Sequence, residues 1–388
     1  MPRPLEVALI VDPSKPYDRR IIRGVAAFVR AQHRDWSLYV EEDPVARLPH
    51  LEAWGGDGVV ANFDDRRIAR AVSNANVPVV AIGGGYGYYN DNPRIPYVRT
   101  DNRAIAELAA RHLLDLGHRR FAFCGEPPNR CNGWASERAE AFAGIVRQAG
   151  YECDVYTGRY VASRHWRGSQ RDLRRWLATL APPVGMMASN DGRALHVLQA
   201  CRAEQMRVPE DVAIVGVDND DVMCELANPP LTSVEQGARR IGFEAAALLD
   251  TMMTGQAPPR QSTAVPPEGL VARQSTDVLA IGDPDVAESL RLIRRRACEP
   301  LAVRDVLDAA TVSRSTLEAR FRAVLGRSIH GEIRRVQLEM AQRLLATTNM
   351  PLKEVARQSG FSSVQYFTVV FREATGVTPA SARRTARV

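Results

Sequence analysis

With 388 residues, 45% of them apolar, the chain is longer than one ordinary domain and has material for more than one core. No apolar run approaches the ~20 residues that span a bilayer. The opening "MPRPLEVALIVDPSK" has no small-residue cleavage pattern, so it reads as a first strand of a cytoplasmic protein and not as a signal peptide. The net charge of +6 is unevenly held: from Asp285 onward there are 18 Arg and Lys against 10 Asp and Glu, a net of +8, leaving −2 for residues 1–284. Only Lys15 and Lys353 are lysines, so Arg abundance is a compositional habit; the segregation of charge is the signal, and it places affinity for an acidic polymer in the last quarter.

From the amino end, "VALIVD" (7–12) reads as a strand and "RRIIRGVAAFVRAQ" (19–32) as an amphipathic helix. Then come "SLYVEE", "GVVANF", a helix at 65–74, "VPVVAIG", a helix at 102–116, "RFAFCG" and a helix at 136–149. "VGMMASN", a helix at 191–204 and "VAIVGVD" continue the alternation. Short apolar strands alternating with helices predict an α/β fold of parallel sheets covered on both faces. Ligands in such folds bind beyond the carboxyl ends of the strands.

Polar clusters stand at those ends: "DPSKPYDRR", "GGGYGYYNDN", "SND" (189–191) and "DNDD" (218–221). Asp, Asn, Tyr and Arg converging on one rim suit a small polyhydroxylated ligand, since carboxylates and amides pair with hydroxyls and an aromatic face packs on a sugar ring. The same Asp and Asn also suit helix N-caps. The glycines at 83–87 lack the GxxxxGK[ST] pattern, so no nucleotide is expected. Cys124, Cys131, Cys153, Cys201, Cys224 and Cys298 form no CxxC pair and read as free thiols; no metal or cofactor is expected.

The stretch "LTSVEQGARRIGFEAAALLDTMM" (231–253), after "VAIVGVDND" and before "VARQST", resembles the sugar-sensing domains of LacI-type repressors and periplasmic sugar-binding proteins. The resemblance covers about residues 5–277 and implies two parallel-sheet lobes that close on a ligand in the cleft between them. It implies ligand-binding roles for Arg138, Asn190, Asp218 and Gln236, and for Tyr17 as a stacking aromatic flanked by Lys15 and Asp18; Trp134, just before Arg138, reads as a packing residue or as a wall of the cleft. Gly83 and Gly84 stand where many relatives place an Asp, and Asp18 where some use a second aromatic.

Beyond "RQST" and the connector 278–285, residues 286–388 read as wholly helical. A short helix (303–310) turns at Thr311–Val312 into a second, capped by Ser313, with Leu317, Phe321 and Val324 expected inward. Pro351 and Gly360 frame a similar pair, with Phe367, Phe371 and Ala374 expected inward. Each is a helix-turn-helix whose second helix enters a DNA major groove. The residues expected at double-stranded promoter DNA are Ser313, Ser315, Thr316, Glu318 and Arg322 in the first unit, and Ser363, Gln365, Thr368 and Arg372 in the second.

"PLKEVARQSGFSSVQYFTVVFREATGVTP" resembles the carboxyl-terminal hallmark of AraC/XylS-type transcription regulators, over about residues 286–384. Ala319 replaces a long polar side chain common in relatives, implying that the first unit reads fewer bases; Ala382 replaces a tyrosine, which bears on packing. The fusion of both halves resembles xylose-responsive regulators, implying D-xylose as effector and activation of uptake and catabolism genes by a homodimer, with RNA polymerase as a further partner. The same architecture answering another pentose or a sugar phosphate stays open. An enzyme using Asp18 and Asp218 as acid and base has no nucleophile elbow, metal cluster or phosphate loop behind it.

Overall fold

The computed structural model describes residues 3–41, 55–73, 75–83, 95–127, 132–158, 166–257, 262–277, 283–299 and 301–385. Residues 84–92 of the glycine-rich rim and Cys131 lie outside these. The chain divides into two compact units, Met1–Asp277 and Val278–Val388.

The first unit has two lobes. In the first lobe β1 (Leu5–Ile10), α1 (Pro16–Ala31), β2 (Trp36–Val40), β3 (Gly58–Asn62), α2 (Arg66–Ser73), β4 (Val79–Ile82) and β5 (Tyr97–Thr100) follow in order. The second lobe takes α3 (Asn102–Asp115), β6 (Phe121–Cys124), α4 (Gly133–Gln148), β7 (Cys153–Tyr156), α5 (Trp166–Leu177) and β8 (Val184–Ala188). It continues through α6 (Asp191–Ala203), β9 (Val212–Val217), α7 (Asp221–Leu226) and β10 (Thr232–Glu235). The chain then returns for α8 (Ala238–Met253) and β11 (Thr263–Val265), and crosses again to β12 (Gly269–Val271).

The sheet orders are β11-β5-β4-β3-β1-β2 and β12-β10-β9-β8-β6-β7. Among the described residues all pairings are parallel except β12 against β10. Side-chain alternation puts a core on each sheet face. Val7 and Leu9 of β1 pack with α1 and α8, while Ala8 and Ile10 pack with α2. Phe121 and Phe123 pack with α3 and α4, and Ala122 and Cys124 with α5 and α6. α1 and α8 meet backbone to backbone: a Cβ on Gly24 would lie 2.0 Å from the Arg239 carbonyl oxygen, and one on Gly242 2.1 Å from that of Ile21.

α1 begins earlier than the apolar spacing predicts, because Pro16 sits in its first turn with φ already helical. Lys15 is therefore its N-cap, and Tyr17 and Asp18 are helical residues at its amino end. Trp134 likewise belongs to the first turn of α4.

The second unit holds α9 (Pro284–Arg296), α10 (Val303–Asp308), α11 (Arg314–Leu325), α12 (Ile329–Thr347), α13 (Leu352–Gln358), α14 (Val364–Thr375) and α15 (Pro379–Thr385). α10–α11 and α13–α14 are two helix-turn-helix pairs built on one template. Ser313 and Ser363 cap by accepting from the Thr316 and Tyr366 amides, and Gly326 and Gly376 close the helices at φ 67° and 75°. Leu317, Phe321, Phe367 and Phe371 are buried. Val324 and Ala374, expected inward, are exposed instead. The stripe is continuous in angle, but nothing among the described residues packs over its last turn. Gly360, at φ +79°, sits where a Cβ would lie 2.5 Å from the Ala297 carbonyl oxygen; the buried Gln337 amide donates to that oxygen and to the Gly360 carbonyl.

Candidate ligand cleft and nucleic-acid interface

A cavity of about 900 Å³ opens beyond the carboxyl ends of the strands of both lobes. Lys15, Tyr17, Asp18, Trp134, Arg138, Asn190, Asp218 and Gln236 all line it. They come from sequence positions up to 221 residues apart, brought together by the two-lobe topology.

Arg138 is the hub. It is 2% exposed, and its guanidinium donates to Asn102 Oδ1 at 2.9 Å, to the Ser189 carbonyl at 2.6 Å and to Gln236 Oε1 at 2.8 Å. The Trp134 ring lies 4.7 Å from its carbon centre, a cation–π contact that also walls the cleft. Gln236 passes the chain on, its amide donating to Asp218 Oδ1. Gln236 follows β10 where the chain crosses between lobes; the next residue, Gly237, has φ +74°, and a Cβ there would lie 2.8 Å from the Pro266 carbonyl of the neighbouring crossing.

Asp218 and Asn219 are consecutive non-glycine residues with φ of 112° and 48°. Asn tolerates the left-handed region, whereas Asp at 112° is strained, by about 1–3 kcal/mol. Both Asp218 and the buried Asp191 have pKa values pushed up by burial, and Asp191 further by repulsion from Asp218. Asp191 is nonetheless well held, accepting from Ser233 Oγ at 2.6 Å and the Asp220 amide at 2.8 Å.

In the first lobe Asp18, 1% exposed, accepts from the Asp12 amide at 2.8 Å and from Asn62 Nδ2 at 3.2 Å. Burial still pushes its pKa up to about 6. The Tyr17 hydroxyl is 2.9 Å from Thr100 Oγ1, at the end of β5, and burial raises its pKa. Lys15 is largely exposed, with Nζ 3.5 Å from Asp12. Asn190 both caps α6, accepting from the Arg193 amide at 2.7 Å, and donates to Glu126 at 3.0 Å within the cavity lining.

Asp191, from the "SND" cluster, also lines the cavity, as do Asn62, Asp64, Asn102 and Glu126, which were not singled out by the sequence. Asp64 is instructive. Gly83 has φ +89°, and a Cβ there would lie 2.6 Å from Asp64 Oδ1. A carboxylate from the end of the third strand thus fills the space that Gly83 leaves after the fourth. Asp64 and Asn62 follow "GVVA" directly, so the strand-end rule extended to β3 finds both.

In the second unit, Ser313 and Ser363 sit at the helix starts with their oxygens engaged as caps. Ser315, Arg322, Gln365 and Arg372 are exposed, and Thr316 and Thr368 half-buried. Glu318 is half-buried and paired with Arg314 at 3.1 Å; Thr368 donates back to the Val364 carbonyl at 2.8 Å. Arg334 fixes the neighbouring Tyr366, donating to its hydroxyl at 2.8 Å and lying 4.8 Å from its ring centre. Ala319 is exposed, and Ala382 packs on the Phe367–Phe371 core.

Over 373 residues the chain is 39% identical to the xylose operon regulatory protein of Escherichia coli (strain K12), covering 96% of this chain and 95% of that one. This chain belongs to the family of xylose operon regulatory proteins. The Haemophilus influenzae member is 35% identical over 96% of this chain and 97% of its own. The solved structure of the xylose-binding transcription activator XylR matches with a TM-score of 0.72 and 37% identity, over 99% of this chain and 98% of that one. Family models match in the same order: a XylR N-terminal domain at 6–103, a periplasmic binding protein-like domain at 110–276 and a helix-turn-helix domain at 306–385. The protein is thus a sugar-responsive, DNA-binding transcription regulator and not an enzyme. Among the described residues no helix is long and apolar enough to cross a membrane.

Proposed function

We propose that this regulator takes D-xylose as its effector and activates xylose uptake and catabolism genes from the cytoplasm. In this reading it acts as a homodimer on repeated promoter sites and works through RNA polymerase. Residues 1–277 are the sensor, 278–285 the linker and 286–388 the DNA-reading domain. The observation that carries the reading is the buried chain Arg138–Gln236–Asp218 along one wall of the cleft, with Trp134 beside it and Tyr17 and Asp18 also lining the cavity. Alternating donors and acceptors beside an aromatic face match a small sugar's hydroxyls and its apolar ring face.

The effector acts by favouring the closed lobes, because a ligand of equal affinity for both states shifts nothing. A coupling of about 1–3 kcal/mol changes DNA affinity several-fold to about a hundred-fold. The test is binding to the protein's own upstream DNA at fixed near-physiological salt, with and without D-xylose, against random DNA. Tightening specific to the upstream DNA is expected. Specific binding that D-xylose leaves unmoved, but another pentose or sugar phosphate tightens, removes the D-xylose assignment. Equal affinity for random DNA removes sequence-specific reading by the helical unit.

A further inference from the structure

Asp218 reaches the cleft from a turn with positive φ at two successive residues, strained at Asp218 itself, and the structure holds that turn from both lobes. Within its own lobe the Asp218 amide donates to the Val234 carbonyl at 3.0 Å and the Asn219 amide to Ser233 Oγ at 2.9 Å. The Asn219 side chain donates to Glu235 Oε2 at 2.8 Å and accepts from Arg273 at 2.7 Å. The remaining anchor crosses from the first lobe. Arg20, on α1, donates to the Asp218 carbonyl, the Asn219 carbonyl and Glu235 Oε1, each at 2.5 Å. Arg20 and Glu235 are mostly shielded, with side-chain exposures of 18% and 22%.

We infer that Arg20 is a positioning residue for effector binding: it clasps the 218–219 turn from the opposite lobe and so ties the aim of the Asp218 carboxylate to the placement of the two lobes. The geometry is specific to arginine. One planar fork engages two successive carbonyls and a carboxylate, whereas a lysine ammonium is a point charge without the fork. Arg20 sits less than one turn from Asp18 on α1, so one helix carries first-lobe cleft residues and the hook on the second lobe. Left without the clasp, the strained φ of Asp218 has fewer contacts to over-determine it, and the carboxylate loses its fixed direction. Arg20 does not line the cavity, so its effect on the effector is indirect.

The inference rests on the D-xylose reading only through the choice of probe. Calorimetric titration of D-xylose into the full chain is compared for wild type, Arg20→Gln and Arg20→Lys, alongside the thermal midpoint of each without sugar. The expected result is a dissociation constant raised about tenfold in Arg20→Gln, about 1.4 kcal/mol, and partly recovered in Arg20→Lys. That recovery is expected without a matching order in the midpoints, which sets positioning apart from a purely structural role. An Arg20→Gln dissociation constant equal to the wild-type value overturns the inference, as does an order of affinities that merely follows the midpoints. If wild type binds no D-xylose, the effector assignment fails, and amide hydrogen exchange over residues 216–222 without sugar decides the clasp. Faster exchange in Arg20→Gln sustains it and unchanged exchange overturns it.

Discussion

Arg138 and Arg372 carry the same guanidinium into opposite surroundings. Arg138 is buried and bonded to Asn102, Ser189 and Gln236 from three separate segments, with Trp134 at its face. Arg372 stands exposed on the outer side of α14, whose inward face is fixed by Phe367 and Phe371. In the sensor, the groups that line the cleft are also part of what holds the lobes in shape. In the helical unit, the proposed recognition residues and the folding residues lie on opposite faces of one helix. Substitutions should therefore cost stability and function together in the first and separate them in the second. All five tryptophans lie within residues 1–277, so tryptophan fluorescence reports the sensor alone.

The largest effect is expected from Arg138→Leu. It takes the guanidinium donors away from the Asn102 and Gln236 oxygens and the Ser189 carbonyl, at about 1–3 kcal/mol for each buried hydrogen bond lost. Fluorescence-monitored urea unfolding should show that loss, and calorimetry should show effector binding abolished. A variant that keeps wild-type stability while losing the effector would contradict the fusion of roles argued for the sensor.

Acid–base behaviour sharpens the same contrast. Burial raises the Asp18 pKa from 3.8 to about 6, so the folded sensor keeps a proton that the unfolded chain has released. This contribution is full below about pH 4 and lost as pH rises through 6, a change of about 3 kcal/mol. The stability difference, wild type minus Asp18→Asn, should fall by about 2 kcal/mol of that between about pH 4 and pH 6.5 in urea unfolding followed by fluorescence. A difference that stays flat or grows with pH would show that the hydrogen bonds from Asp12 and Asn62 outweigh burial.

The legibility of the two regions in the sequence differs for the same physical reason. Apolar strands such as "VALIV" and the Ser-to-Gly frames of α11 and α14 are local patterns, and they gave the α/β and helical classes directly. Among the strands of three or four residues, β4 (VVAI) and β6 (FAFC) show as apolar runs, whereas β5, β7, β11 and β12 have no such run, and only pairing in the finished sheet makes them strands. The cleft rim was readable wherever a polar cluster follows a strand, as at Tyr17–Asp18, Asn190 and Asp218. Asp64 falls under the same rule once it is extended to β3, whereas Asn102, the first residue of α3, becomes a cleft residue through its bond to Arg138. Val324 and Ala374 mark the opposite failure, since helical period says which side a residue is on and not whether anything covers that side.

The smallest effect, and the one that tests the helical half of the comparison, is Arg372→Ala. The side chain is exposed on the outer face, so its removal should leave the unit's thermal midpoint unmoved. Promoter affinity should fall roughly tenfold, within the ~1–3 kcal/mol range of a base-edge contact. Salt then tells which kind of contact was lost. A phosphate contact lowers affinity for all sequences and reduces the salt slope by about 1, while a base contact relaxes preference at one position of the site. Arg322 occupies the matching place on α11, four residues before Gly326 as Arg372 is before Gly376. If the first unit reads fewer bases, as Ala319 implies, Arg322→Ala should lower affinity without changing sequence preference, and Arg372→Ala should change both.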